Sequence, residues 1–318
     1  MDALLRAVVH KSWDGLDGWC KQPDFCRMVD NRGLTPLHLT VSHGAPLHVV
    51  RALLETWRAA AEVLDADGAT PLHLVVAKQA KLETIAAVLN AHPPAAALGA
   101  NVKLLPASGD AAKSRWGDQT APAATRGFTP LHWALVTRNA AAAALLLSAE
   151  GVGKQSAAVA CAAGRLPLHT AAANEAEKDL IEQLMDAHPP ALQAVDAHGA
   201  LPLHHAFANG APFESQAALV AKNPGTAQAK AKNGWTALHY LAASGESGTA
   251  EATHLLVNAW TGAVSAKDDN DRTAVHVACA SSSPLPVVRA LLHRWVGASG
   301  YLKILSGRKR GERFFDHR

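Results

Sequence analysis

The sequence is poor in aromatic residues and carries little net charge. Of its 318 residues, 5% are aromatic and 18% are charged, and the formal net charge is +3. A balance this close to neutral gives no general electrostatic reason to expect nucleic acid or an anionic membrane as a partner. Because aromatic residues are scarce, any concentration of them at exposed positions would be informative about binding.

Long hydrophobic runs are also missing. No window approaches the ~20 apolar residues of a membrane-spanning helix, and Met1 to Gly15 do not form the pattern of a secretory signal. Cys20, Cys26, Cys161 and Cys279 show neither zinc spacing nor a disulfide framework, so we expect buried, reduced thiols. We therefore expect a soluble intracellular protein in the cytoplasm, with the nucleus as an open alternative.

A four-residue motif, Thr-Pro-Leu-His or a close variant, is present seven times. Its histidines follow one another at intervals of roughly 35 residues, with one longer interval, which is the signature of a repeat array. These anchor histidines are His38, His73, His132, His169, His204, His239 and His276. We number the units one to seven by these residues.

Each motif has the features of a helix start. Threonine offers a hydroxyl that accepts from an orphaned backbone N–H, and proline suits the first helical position. Histidine both donates and accepts, so it is able to connect one turn to its neighbour. A glycine usually precedes the motif, as in Asp65 to Gly68 and Asp196 to Gly199, which predicts a turn with positive φ. Asp271 replaces that glycine in unit seven.

A second apolar stretch with helical spacing follows each motif. Examples are Leu47 to Trp57, Leu82 to His92, Lys178 to His188 and Pro286 to Trp295. Each unit is therefore predicted to contain a turn, a short helix, a longer helix and a connection. Because units of this kind contact only their neighbours, a chain of this length need not divide into two domains.

These units resemble ankyrin repeats over about residues 30 to 296. The Thr-Pro-Leu-His motif, the Asp-x-x-Gly turn and the helix pair match that family. The family's usual Gly-Ala-Asp segment is replaced by segments such as His92 to Ala95, and Leu166 and Leu201 replace the capping threonine. The resemblance implies an all-α ankyrin-repeat solenoid of about seven helix-turn-helix units with terminal caps.

Three regions depart from the regular repeat. We interpret residues 1–30 as a degenerate N-terminal capping repeat, residues 31–296 as the array, and residues 297–318 as a C-terminal cap with a basic tail. The longer interval holds an inserted loop at about residues 95–125, which either binds a partner, with Trp116 as the indication, or has no function. The tail is either a solvated end or a nuclear-import contact.

The sequence does not indicate a catalytic or metal centre. Of its 17 histidines, the seven anchors lie about one unit apart along the stack and do not converge on one ion. A Gly-x-Ser-x-Gly nucleophile motif is missing. We therefore expect no enzyme activity, no cofactor and no metal.

The resemblance also implies binding on the concave face, which is formed by the hairpin tips and the first helices. It places the residue after each anchor histidine outward: Leu39, Leu74, Trp133, Thr170, His205, Tyr240 and Val277. The residue after the turn glycine adds a second row that includes Leu34, Phe128 and Trp235. Because Trp and Tyr dominate interface hot spots, the predicted partner-binding residues are Phe128, Trp133, His205, Trp235 and Tyr240. The alternative is that these rings pack unit on unit.

The sequence thus predicts a non-enzymatic scaffold or adaptor that binds one or more proteins on the concave face. One alternative is a substrate-recruiting or regulatory subunit of an enzyme complex, such as a kinase or ubiquitin ligase. Another is an enzyme with an unrecognised site near residues 95–125. An ankyrin-like fold does not by itself name the partner.

Overall fold

The computed structural model describes residues 12–13, 16–101 and 125–298. Most of residues 1–15 of the predicted N-terminal cap, most of the predicted insertion and nearly all of the predicted C-terminal cap and tail lie outside the described residues. Within the described ranges the regular structure is α-helix and short 3-10 helix, without a β-strand. In this part of the chain no helix has both the length and the apolar character needed to cross a bilayer.

Every motif starts a short helix, and a second helix follows it. The first helices are Pro36–Ser42, Pro71–Ala77, Pro130–Val136, Pro167–Ala173, Pro202–Asn209, Ala237–Ala243 and Ala274–Ala280. The second helices are Leu47–Thr56, Leu82–Ala91, Ala140–Ser148, Lys178–Ala187, Phe213–Lys222, Ala250–Ala259 and Leu285–Ala298. The predicted helix pairs are therefore confirmed. Short helices at Asp17–Cys20, Pro23–Cys26 and Gly153–Ala158 are additional.

Short 3-10 helices connect most units at the far end of the second helix. They are Arg58–Glu62, Pro93–Ala97, Pro189–Gln193, Pro224–Gln228 and Thr261–Val264. Two of them begin at the His-Pro-Pro-Ala segments, where paired prolines fix φ and end the preceding helix.

The anchor histidine and the residue three positions before it exchange hydrogen bonds at the helix start. Thr129 Oγ1 accepts from the backbone N–H of His132 at 3.3 Å, and His132 Nδ1 accepts from the backbone N–H of Thr129 at 3.3 Å. Leu166 has no side-chain oxygen, but its N–H still donates to His169 Nδ1 at 3.1 Å. Histidine thus keeps half of the cap where threonine is absent, which explains why leucine is tolerated there.

The same histidine reaches the next unit with its other nitrogen. His132 Nε2 lies 3.0 Å from the carbonyl of Arg165, and His239 Nε2 lies 3.1 Å from the carbonyl of Arg272. His38 and His169 make the corresponding contact. The Nε2 atoms of His73 and His204 instead lie near the carbonyls of Leu98 and Ala229, which directly follow the 3-10 helices of their own units. Because Nδ1 accepts at the cap and Nε2 faces a carbonyl, the ring is neutral with its hydrogen on Nε2. The structural role predicted for these anchors is confirmed.

Burial of these rings changes their protonation. It lowers the pKa of His73, His132 and His204 to about 4 and that of His169 to about 3, against the raising effect of the carbonyl contacts. Desolvation disfavours the charged imidazolium, so the rings stay neutral at neutral pH.

The turns before the motifs have the predicted geometry. Gly164 has a φ of 70°, and Asp271, which replaces the glycine in unit seven, has a φ of 59°. In unit five, Asp196 Oδ1 accepts from the backbone N–H groups of His198 at 2.8 Å and Ala200 at 2.9 Å. Backbone hydrogen bonds join successive turns: Ala66 to Arg32, Asn101 to Asp67, Ala162 to Arg126, Ala197 to Ala163, and Lys232 to His198.

Small side chains allow the first helices to approach one another closely. Ala171, Ala172 and Ala206 are fully buried where the first helices of units four and five meet. The second helices form an outer layer in the same order. Adjacent units therefore share a continuous core, as expected of a stacked array.

The cysteines are free thiols, but they are not all buried. Cys20, Cys26 and Cys161 are buried, and Cys20 and Cys26 lie on the two short helices that pack against the first helix pair. Cys279 is exposed on the last of the first helices, so the burial predicted for it is wrong.

Candidate functional site

The predicted outward row after the anchor histidines is buried. Trp133 is 1% exposed, and His205 and Tyr240 are each 8% exposed. Leu39, Leu74, Thr170 and Val277 in the same row are also buried. In the second row, Phe128 is 1% exposed, Trp235 is 9% exposed and Leu34 is half-buried. The prediction that these side chains point into solvent is therefore wrong, because the first helices of successive units pack against one another.

Phe128 and Trp133 form an aromatic cluster inside unit three. The Phe128 ring stacks on His132 at a centroid distance of 5.0 Å and meets Trp133 edge-on at 5.7 Å. The Trp133 Nε1–H is buried and has no hydrogen-bond acceptor among the described residues. These rings pack the array, which was the alternative interpretation of the sequence.

Trp235 and Tyr240 form a similar cluster in unit six, but polar groups surround it. The two rings meet edge-on at 5.2 Å, and Tyr240 stacks on His204 of the preceding unit at 5.2 Å. Trp235 Nε1 donates to Asp268 Oδ2 at 3.1 Å. This cluster therefore joins three successive units, five, six and seven.

A cavity of about 240 Å³ opens beside this second cluster. It lies at the hairpin tips between units five and six, and Arg165 of unit four also borders it. Two of the predicted binding residues, His205 and Tyr240, line it. The other lining residues are Arg165, Asp196, His198, Ala200, His204, Ala208, Lys232 and Asn233. Concave sites with a few convergent polar groups are the usual form of a binding site.

Asp196 is the central polar group of this cavity, and its side chain is fully buried. His205 Nε2 donates to Asp196 Oδ2 at 2.9 Å, and Arg165 Nε lies 3.6 Å from the same oxygen. Burial alone would raise the pKa of the Asp196 carboxyl, but the hydrogen bonds from His205 and from two backbone N–H groups hold it below its usual range. The group is therefore a carboxylate at neutral pH.

His205 is neutral although it contacts a carboxylate. Burial lowers its pKa more than the hydrogen bond to Asp196 raises it, and the nearby Arg165 lowers it further. Burial also raises the pKa of the Tyr240 hydroxyl. Neither ring is thus charged near neutral pH, and the fixed charges of the cavity are those of Arg165, Lys232 and Asp196.

The cavity is better suited to binding than to covalent chemistry. Its lining residues include no serine, threonine or cysteine that His205 could activate as a nucleophile. Within the described ranges, no cluster of three or more His, Cys, Asp or Glu side chains is arranged to hold a metal ion. The cavity provides the buried guanidinium of Arg165, the exposed ammonium of Lys232 and the amide of Asn233 as contacts for a polar ligand.

Sequence reasoning found part of this site. His205 and Tyr240 were predicted, and Trp235 lies against Tyr240. It missed Arg165, Asp196 and Lys232, although Asp196 belongs to a recognised Asp-x-x-Gly turn. The sequence did not indicate that side chains of successive units would line one cavity beside the small residue Ala200.

One family model matches part of the chain. Residues 203–303 match the family described as ankyrin repeats (3 copies). A search of the curated proteins finds no significant match. Ankyrin repeats are in general protein–protein interaction modules, and the all-helical stack of the described residues is the architecture of such a repeat solenoid.

Proposed function

We propose, on the premise that its ankyrin repeats bind proteins, that this chain is a non-enzymatic scaffold or adaptor. Its partner lies on the face formed by the hairpin tips and the first helices. The observation that carries this proposal is the cavity between units five and six, which opens at the tips and is lined by His205 and Tyr240. A protein side chain is the ligand that such an opening on a repeat surface most readily accepts.

The two aromatic clusters have different roles in this proposal. Phe128 and Trp133 are almost fully enclosed and stabilise unit three. Tyr240 and His205 form part of the cavity wall, and Trp235 supports Tyr240 from behind. Lys232 and Asn233 are exposed at the rim, where a partner first makes contact.

The experiment is affinity capture with the full chain, followed by mass spectrometry. Lys232→Glu reverses the charge of a rim residue that is exposed, so it should leave the fold intact. Lys154→Glu is the matched control, because Lys154 is exposed and does not line the cavity. A protein retained by wild type and by Lys154→Glu, but not by Lys232→Glu, is the expected result.

Equal capture by all three proteins would contradict the proposed binding face. The captured protein should also have an unchanged mass after incubation with the chain. A covalent change that depends on the chain would contradict the non-enzymatic role.

A further inference from the structure

We propose that the cavity between units five and six binds the carboxylate of an aspartate or glutamate side chain of the partner. The inference rests on the proposed protein-binding function and specifies the chemistry of one contact. Its starting point is Arg165, whose side chain is only 9% exposed although it lines the cavity. Its Nε makes no hydrogen bond with another described residue.

Asp196 does not satisfy this guanidinium. Its Oδ1 accepts from the backbone N–H groups of His198 and Ala200, and its Oδ2 accepts from His205 at 2.9 Å. Arg165 Nε approaches that oxygen to only 3.6 Å, beyond hydrogen-bond distance. A guanidinium has five N–H donors, and a buried donor without an acceptor is costly. The Arg165 guanidinium therefore borders the cavity with its charge incompletely paired by hydrogen bonds.

Unit seven differs from unit five in the side chain that pairs with the aspartate of the turn. Asp268 occupies the turn position that Asp196 occupies in unit five, and it receives Arg272 Nε at 3.0 Å and Nη2 at 2.9 Å. Arg272 follows Asp268 by four positions, as Ala200 follows Asp196. Ala200 has only a methyl group, so it makes no such ion pair with Asp196, and it lines the cavity.

The charge of the cavity selects an anion over a second cation. Arg165 and Lys232 are positive and Asp196 is negative, so the lining carries one net positive charge. The Lys232 stem passes close over Gly199, where an added Cβ would lie 3.0 Å from Lys232 Cγ. A partner arginine or lysine would meet two like charges, whereas one carboxylate balances the site.

The size of the cavity also fits a carboxylate side chain. Its volume is about 240 Å³, and an enclosed space of about 150 Å³ already accepts a benzene-sized molecule. Tyr240 and Asn233 provide further polar groups in the wall. A single acidic side chain therefore fits the cavity, where it faces the guanidinium of Arg165.

The test begins with selection of binders from a random peptide library. The peptides are displayed inside a coat-protein fusion, so none has a free C-terminus. The full-length wild-type protein should select peptides with Asp or Glu at one fixed position. Synthetic copies should lose affinity by about tenfold or more when that residue becomes Asn or Gln, because a charge-assisted hydrogen bond to a desolvated guanidinium is lost.

Two variants connect this effect to the cavity. Ala200→Arg introduces the side chain that unit seven has at this position, and it should fill the cavity and reduce affinity by about tenfold or more. Ala197→Arg is the matched control, because Ala197 is exposed at the same tip and does not line the cavity. Far-UV circular dichroism and urea unfolding establish that each variant folds.

Lys232→Ala keeps the proposal testable if Ala200→Arg fails to fold. It should weaken the acidic peptide and have little effect on the Asn or Gln copy. Selected peptides without a shared acidic residue, or equal binding to wild type and a folded Ala200→Arg protein, would overturn the carboxylate site while the protein-binding function stands. So would an affinity that disappears on C-terminal amidation of the synthetic peptide. No enrichment by wild type would also count against the site, and the capture experiment judges the wider function separately.

Discussion

Acidification should unfold this array well above the pH at which carboxylates become protonated. The pKa is about 4 for His73, His132 and His204 in the folded chain and about 3 for His169, whereas an unfolded histidine titrates near 6.5. Between these values only the unfolded chain takes up the proton. The free energy of unfolding is therefore fully present above about pH 6.5 and falls as the pH falls.

The expected loss is large compared with the stability of an ordinary domain. From about pH 7.5 to about pH 5, each of the four histidines removes about 2 kcal/mol, or about 8 kcal/mol together. Typical domains are stable by about 5–15 kcal/mol. Unfolded Asp and Glu titrate near 3.9 and 4.3, so they contribute little in this window.

Urea unfolding followed by circular dichroism across this pH range measures the loss. His132→Gln provides the internal control, because glutamine does not titrate in this range. That variant should be less stable at about pH 7.5, but its loss on acidification should be smaller by about 2 kcal/mol. Wild-type stability that changes by less than about 1 kcal/mol would refute the argument, as would an unchanged pH dependence in His132→Gln.

Three further predictions concern the packing of unit three, the turns and a helix cap, and each is measured by urea unfolding. Trp133→Phe keeps a ring and removes an N–H that has no acceptor among the described residues, so it should lower the free energy of unfolding by less than about 1.5 kcal/mol. Trp133→Ala should lower it by about 3–5 kcal/mol. Equal costs would contradict the assignment of Trp133 to packing. Gly164→Ala should cost about 1–2 kcal/mol, because Gly164 has a φ of 70°. Asp271→Gly should stabilise the protein by up to about 1 kcal/mol, because Asp271 has a φ of 59°. The reverse order of these two effects would contradict the turn geometry. Thr129→Ala should cost about 1 kcal/mol through loss of the helix cap, and a Thr129→Ser protein as unstable as Thr129→Ala would show that the hydroxyl is not responsible.

The fold was predictable because each unit is determined locally. The Thr-Pro-Leu-His motif contains the cap, the first helical residue and the bridging histidine in four consecutive positions. The two ring nitrogens of His132 have the partners that the motif implies, since Nδ1 accepts from the Thr129 N–H and Nε2 faces the carbonyl of Arg165. Even the substitution of Asp271 for glycine keeps the turn, since Asp tolerates the left-handed region better than most residues.

The site was only partly predictable because exposure depends on the neighbouring unit. Tyr240 follows an anchor histidine in the same way as Trp133, but Tyr240 lines the cavity described above and Trp133 does not. The cavity beside Tyr240 is formed together with residues of units four and five, among them Arg165, Asp196 and Ala200. No property of Tyr240 or its own unit contains that information.

The Nε2 atoms of the anchor histidines in units one to six contact carbonyls on the C-terminal side, so the array has a direction. In units one, three, four and six the Nε2–H depends on a carbonyl that the turn of the following unit provides. Loss of a unit from the C-terminal side therefore leaves a donor without its acceptor in the unit that remains. Loss from the N-terminal side leaves only a carbonyl, which proteins tolerate more often than an orphaned N–H. The two ends of the stack are thus energetically unequal, and fraying at one end is not the mirror image of fraying at the other.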